Sequence, residues 1–243
     1  MKSYILRIEL EGSEPLIWRR VIMPAGATYN RLHDVIQCVT NFQSGYPHGS
    51  YHLYEFDLKK DKRIVTDNEE AYLEHQHYLK NRKYYEERLE AMPEDLLQFE
   101  KSYQERLKIQ VRKPTGLKID DYLEKYKEVT YLYDFGDNWT FNIRLEDTVT
   151  DYHFGYPTLL DGAETAPLED VGGLHGYYEF LEAYRNPEHP EHGEKMQWVN
   201  GWNYQEYDPQ RINSRLRRIE YKKTEWEKIR HENYIIIEDK YRK

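Results

Sequence analysis

The chain has 243 residues, 39% of them apolar, 33% charged and 15% aromatic, with a net charge of −9. That length suits one large domain or two small ones, and no apolar run approaches the ~18 residues of a membrane-spanning helix. The single cysteine, Cys38, excludes an internal disulfide and a cysteine zinc cluster; with no leader-like N-terminus, the expected location is the cytoplasm.

Tyr4 to Leu10 and Leu16 to Ile22 read as two strands, near 3–11 and 16–23, joined through Gly12-Ser13-Glu14-Pro15 as an antiparallel hairpin. Thr28 caps a helix near 29–40 whose apolar positions Leu32, Val35, Ile36 and Val39 keep helical spacing. A third strand covers 51–58, with His52, Tyr54, Phe56 and Leu58 on one face.

From about 59 to 127 opposite charges mix along a thin apolar stripe, and this stretch reads as a helical hairpin inserted into a single domain. One arm ends at Met92-Pro93 and the other runs from Glu94 to about Leu107. Strands near 128–135 and 139–147 follow, joined through Gly136-Asp137-Asn138. A long loop over 150–175 and a helix near 176–185 come next. The last helix, near 209–230, starts at Asp208-Pro209 and leads into a basic tail. The fold class expected is α+β: a bent antiparallel sheet packed by helices, with a charged helical-hairpin insert.

Charge is unevenly placed. Residues 128–208 hold 17 acidic and 3 basic side chains, whereas 209–243 hold 6 acidic and 11 basic.

Five ordered segments carry a resemblance: Ile17-Trp18-Arg19-Arg20, Leu32-His33-Asp34-Val35-Ile36-Gln37, His52-Leu53-Tyr54-Glu55-Phe56, Tyr133-Asp134-Phe135-Gly136-Asp137-Asn138-Trp139, and Glu169-Asp170-Val171-Gly172-Gly173 with Gly176-Tyr177. Together they resemble the plasmid pRiA4b ORF-3-like family, some members of which are labelled transposon-passenger proteins. The resemblance covers roughly 1–58 and 128–218; it implies an α+β domain and no established activity. Many relatives have a histidine two residues after the tryptophan and cysteines around the Glu-Asp-x-Gly-Gly segment. Here Phe141, Leu159, Ala166 and Val171 stand at those positions, which removes them from any metal reading.

The candidate ligand set is acidic: Asp134, Asp137, Glu169 and Asp170, with His52, Glu55 and His175 as neighbours. Clustered carboxylates raise one another's pKa unless a cation or hydrogen bonds offset the repulsion, so a divalent metal is the cofactor such a set admits. Aspartates beside a turn glycine also bond backbone amides, a purely structural use. Arg19 and Arg20 point to opposite strand faces and suit either an anion or a structural ion pair with the acidic segment. Arg211, Arg215, Arg218 and Lys222 form one helical stripe that could meet nucleic-acid phosphates, although the net charge and the lack of a DNA-binding motif argue against it. Asp134-Phe135-Gly136 matches a kinase triplet, but no glycine-rich loop or strand lysine accompanies it.

No complete nucleophile and base set appears, so the leading expectation is a non-catalytic binding or adaptor module for an unknown protein or small ligand, without membrane association. A metal-dependent hydrolase using the acidic motifs is the rival, and a nucleic-acid-associated passenger protein is the third reading.

Overall fold

The computed structural model describes residues 2–45, 51–93, 96, 100–101, 107–152, 154–202 and 204–219. Eight strands are β1 (Ser3–Leu10), β2 (Trp18–Pro24), β3 (Tyr54–Leu58), β4 (Arg63–Thr66), β5 (Gln110–Arg112), β6 (Glu128–Tyr133), β7 (Trp139–Val149) and β8 (Thr158–Ala163). They form one open sheet in the order β5-β4-β3-β6-β7-β1-β2-β8. Every neighbouring pair is antiparallel except β4 with β5. The helices among the described residues include α1 (Tyr29–Val39), α2 (Glu69–Lys80), α3 (Arg82–Glu90), α4 (Asp120–Tyr126), α5 (Gly173–Arg185), α6 (His192–Trp202) and α7 (Pro209–Leu216). The molecule is α+β, and no described helix is long and apolar enough to cross a membrane.

Strand alternation builds the core. Tyr54, Phe56 and Leu58 of β3 point inward with Val129, Tyr131 and Tyr133 of β6 and Trp139, Phe141 and Ile143 of β7. Register sets Tyr54 opposite Tyr133 and Tyr133 opposite Trp139; the next inward row is Phe56, Tyr131 and Phe141. Two aromatic rows thus cross three strands, and such cross-strand pairs are the local source of sheet stability. Helix α1, capped by the Thr28 hydroxyl that accepts from Arg31 N–H, lays Leu32, Val35, Ile36 and Val39 on this layer. Ile5, Ile22, Tyr152, Phe154 and Leu160 make a smaller cluster; Ile5 and Ile22 alternate with the main-core residues of β1 and β2, which puts this cluster on the opposite face.

Several elements differ from expectation. The 59–127 stretch does not merely project as a helical hairpin: β4 and β5 lengthen the sheet, and α4 joins the core through Tyr122 and Leu123. Its polar helix is broken at Asn81 into α2 and α3, and most of the expected second arm lies outside the described residues. Within the expected 150–175 loop runs β8. Its Leu159 N–H donates to Asn213 Oδ1 at 2.7 Å, and Asn213 Nδ2 donates back to Leu159 O at 3.1 Å. The Asn213 amide of α7 therefore occupies the edge groups of β8 as a neighbouring strand would.

Arg19 lies on the core face and is buried. Its Nε donates to Val39 O at 2.9 Å, Nη1 to Trp18 O and Ala163 O at 2.7 Å each, and Nη2 to Glu164 O at 2.8 Å. The guanidinium stacks 4.4 Å from the centre of the Tyr207 ring. It is saturated by backbone carbonyls, so neither an external anion nor a carboxylate partner is needed to place it. Arg20, on the other face, donates from Nε to Glu146 Oε2 at 2.5 Å. Arg215 donates to Thr40 O and Gln37 O at 3.1 Å each, placing a cation at the C-terminus of α1. Of the expected basic stripe, Arg211 and Arg218 stay exposed and Lys222 lies outside the described residues. Cys38 is buried, and burial pushes its thiol up to about 11, which leaves it inert.

Candidate metal centre

Three loops meet at one end of the β3-β6-β7 region. The first leads into β3, which starts at Tyr54 rather than 51, so His52 and Leu53 precede the strand. The second is the β6–β7 turn, residues 134–138. The third, residues 169–172, enters α5. Leu53 O accepts from Asp134 N–H at 3.0 Å, and Asp137 Oδ2 accepts from Gly172 N–H at 3.1 Å. Main-chain and side-chain bonds thus fasten the second loop to both others.

The glycines of the third loop have steric reasons. Gly173 adopts φ +69°, and a Cβ there would stand 3.0 Å from Asp137 O; at Gly176 a Cβ would fall 2.0 Å from Val171 O. Asp134 and Asp170 both hold left-handed backbone, at φ 54° and 55°. Aspartate tolerates that region better than most residues because its short side chain bonds locally, as Asp134 Oδ1 does in accepting from Gly136 N–H at 2.9 Å.

His52 sits among three carboxylates. Its Nδ1 is 3.6 Å from Asp134 Oδ1, and its Nε2 is 3.3 Å from Asp170 Oδ1 and 3.9 Å from Glu169 Oε2. One ligand atom each from His52, Asp134 and Asp170 can be chosen so that all three lie within 4.8 Å of one another. Donors around a cation at about 2.1 Å are separated by roughly 3–4 Å, so a small inward movement completes a site. Asp170 is 42% exposed, which leaves one side open to water.

Glu169 forms the inner wall and is fully buried. Its Oε1 accepts from Gln43 N–H at 2.6 Å and from Tyr133 OH at 2.7 Å, whereas no hydrogen-bond donor reaches Oε2. Burial pushes this carboxyl above the usual carboxylate range, opposed by those two donors. Among the described residues, His52 is the sole ion-pair partner of Asp134, Glu169 and Asp170.

The other expected ligands stand elsewhere. Glu55 alternates to the opposite sheet face from Tyr54 and Phe56, where burial and the neighbouring Asp57 raise its carboxyl. Asp137 tethers the third loop. His175 is 88% exposed and pairs with Glu179 at 3.2 Å, one helical turn away.

Residues outside the expected ligand set hold the centre from behind. Ser44 Oγ accepts from the amides of Tyr51 and His52 at 2.9 Å each and lies 2.6 Å from Tyr133 OH. Because the Tyr133 proton goes to the Glu169 carboxylate, Ser44 donates to Tyr133. Ser44 O accepts from His33 Nε2 at 3.1 Å, which leaves Nδ1 to accept from Tyr131 OH at 2.8 Å. Gln37 closes the set, accepting from Ser44 N–H at 2.9 Å and donating to Tyr131 OH at 3.2 Å. The sequence signals for this network are the polar spacing of His33 and Gln37, four apart on an otherwise apolar helix face, and the place of both, like that of Tyr133, in the segments that carry the resemblance.

Comparison with known proteins agrees with this architecture. A curated protein of Sinorhizobium fredii (strain NBRC 101917 / NGR234), "Uncharacterized protein y4hQ", is 29% identical over 199 residues, spanning 82% of this chain and 81% of that one. The crystal structure of the "Protein of Unknown Function MM3350 from Methanosarcina mazei Go1" is similar at a TM-score of 0.60 with 28% identity, over 86% of this chain and 96% of that chain. The family described as plasmid pRiA4b ORF-3-like protein matches residues 2–215, and the chain belongs to that family.

Proposed function

We propose that this protein binds a divalent cation through His52, Asp134 and Asp170. The observation that carries the reading is the meeting of these three donors, from segments more than 30 residues apart in sequence, within 4.8 Å of one another. A mixed imidazole and carboxylate set suits Mn²⁺, Zn²⁺ or Fe²⁺ better than a purely oxygen-seeking ion. Three protein ligands with an open side resemble catalytic rather than closed structural centres. Activation of bound water for hydrolysis is accordingly the reaction class this reading carries. A binding module without turnover is its alternative.

Elemental analysis of protein purified without a metal-affinity tag, combined with thermal melts in Mn²⁺, Zn²⁺ and Mg²⁺, tests the proposal. About one equivalent of transition metal is expected, with a melting temperature that rises on metal addition. His52→Ala and Asp134→Asn should abolish the rise; asparagine keeps the left-handed backbone of Asp134 available. A flat response across all three metals would remove the reading. If the cation binds while ester, amide and phosphoester probes stay intact, the module alternative stands.

A further inference from the structure

We propose that Glu169 is an inner ligand of this centre, acting through Oε2, and that Ser44 and Tyr133 are the positioning residues that aim Glu169 and His52 at one point. The inference rests on the cation-binding reading above and adds residues that the three-donor cluster leaves out.

Glu169 gives the reason. An ordinary structural carboxylate uses both oxygens, because a buried charge without partners is strongly unfavourable. In Glu169 all the help goes to one oxygen. Gln43 N–H and Tyr133 OH both serve Oε1, at 2.6 and 2.7 Å, while Oε2 has no donor and stands 3.9 Å from His52 Nε2. Asp134 and Asp170 bring two more carboxylates to the same ring. The imidazole is the one ion-pair partner these three have among the described residues, and at most it carries a single positive charge. A divalent cation supplies the missing charge, and Oε2, 3.9 Å from His52 Nε2 and without a donor of its own, is the Glu169 oxygen left to meet it.

The positioning role follows from how the two loops are tied. One hydroxyl, Ser44 Oγ, takes the amides of Tyr51 and His52 and donates to Tyr133, whose own proton holds Glu169. The His52 main chain and the Glu169 side chain are therefore referred to a single buried point. Outer partners of this kind fix ligand direction, and their loss typically weakens metal affinity roughly 10- to 100-fold.

The deciding variant is Glu169→Gln, which keeps size and the Oε1 acceptor but removes the charge. It is expected to leave the metal-free melting temperature unchanged or higher, and to weaken Mn²⁺ or Zn²⁺ binding at least tenfold by titration calorimetry. Tyr133→Phe and Ser44→Ala are expected to weaken binding by about 10- to 100-fold. Tyr131→Phe is the control: it breaks the bonds to His33 and Gln37 within the same network yet touches neither Glu169 nor His52. It should lower the melting temperature and keep affinity within about twofold, so a general loss of packing is told apart from misaimed ligands.

If Glu169→Gln lowers metal-free stability and binds metal like the wild type, Glu169 is structural and the inference is overturned. If the wild type binds while Tyr133→Phe and Ser44→Ala match the Tyr131→Phe control, the positioning role fails and the three-donor centre stands. A wild type that takes up no cation overturns the inference together with the reading beneath it.

Discussion

His33 shows what a single buried titratable group does to this protein. It is enclosed by Tyr54, stacked at 3.7 Å, and by hydrogen bonds to Tyr131 and Ser44. Burial lowers its pKa to about 4, from 6.5 in the open chain. Between those values the unfolded chain binds the proton and the folded one does not, so stability falls as pH drops from 6.5 toward 4. A difference of this size is worth about 3 kcal/mol at its limit. Urea unfolding at several pH values should show this loss in the wild type relative to His33→Gln, whose stability should lack that component. Equal slopes for the two proteins would show that His33 titrates normally. Arg19 makes the same point about placement: the tryptophan-diarginine motif is visible in the sequence, but only the fold reveals that its first guanidinium serves four carbonyls.

Among the elements, strong periodicity translated directly into structure and weak periodicity did not. β1, α1, β6 and β7 fall within a few residues of their expected bounds, because each carries several apolar side chains at the period of its own geometry. β4 has only Ile64 and Val65 for an apolar signal, β5 is three residues long, and α6 begins in a stretch rich in proline, histidine and glutamate. Their pairing energy comes from neighbours far away in sequence. The start of α5 is set by a contact instead of a propensity. Gly176→Ala would force a methyl group into Val171 O and is expected to cost roughly 3 kcal/mol of stability. Since Val171 follows Asp170, the same variant should also blunt the metal-induced rise in melting temperature. A variant as stable and as responsive as wild type would show that the loop can relax around the clash.

On the scale of the whole molecule, the candidate centre and the charged 59–127 stretch stand apart. Every donor proposed for the cation, and both positioning residues, lie outside it. We therefore expect that a flexible linker in place of residues 69–112 keeps β4 paired to β3 and preserves the metal-induced stabilisation. Melts with and without Mn²⁺ check this, and loss of the metal response with the remaining fold intact would mean that the replaced residues shape the centre. The acidic bias of residues 128–208 also gains a local meaning. Asp134, Glu169 and Asp170 belong to it, and their mutual repulsion favours a cation at that spot.

Periodic apolar spacing, turn residues and five ordered motifs were enough to specify the fold class, the family and most of the candidate residues, because those properties are local along the chain. Which of seven candidate ligands meet was settled by packing: His52, Asp134 and Asp170 converge with Glu169 beneath them, while Glu55 turns to the far face, Asp137 ties a loop and His175 points to water. Convergence depends on strand register and on loops tethered across the sheet, and a one-residue shift of register would turn each side chain to the other face.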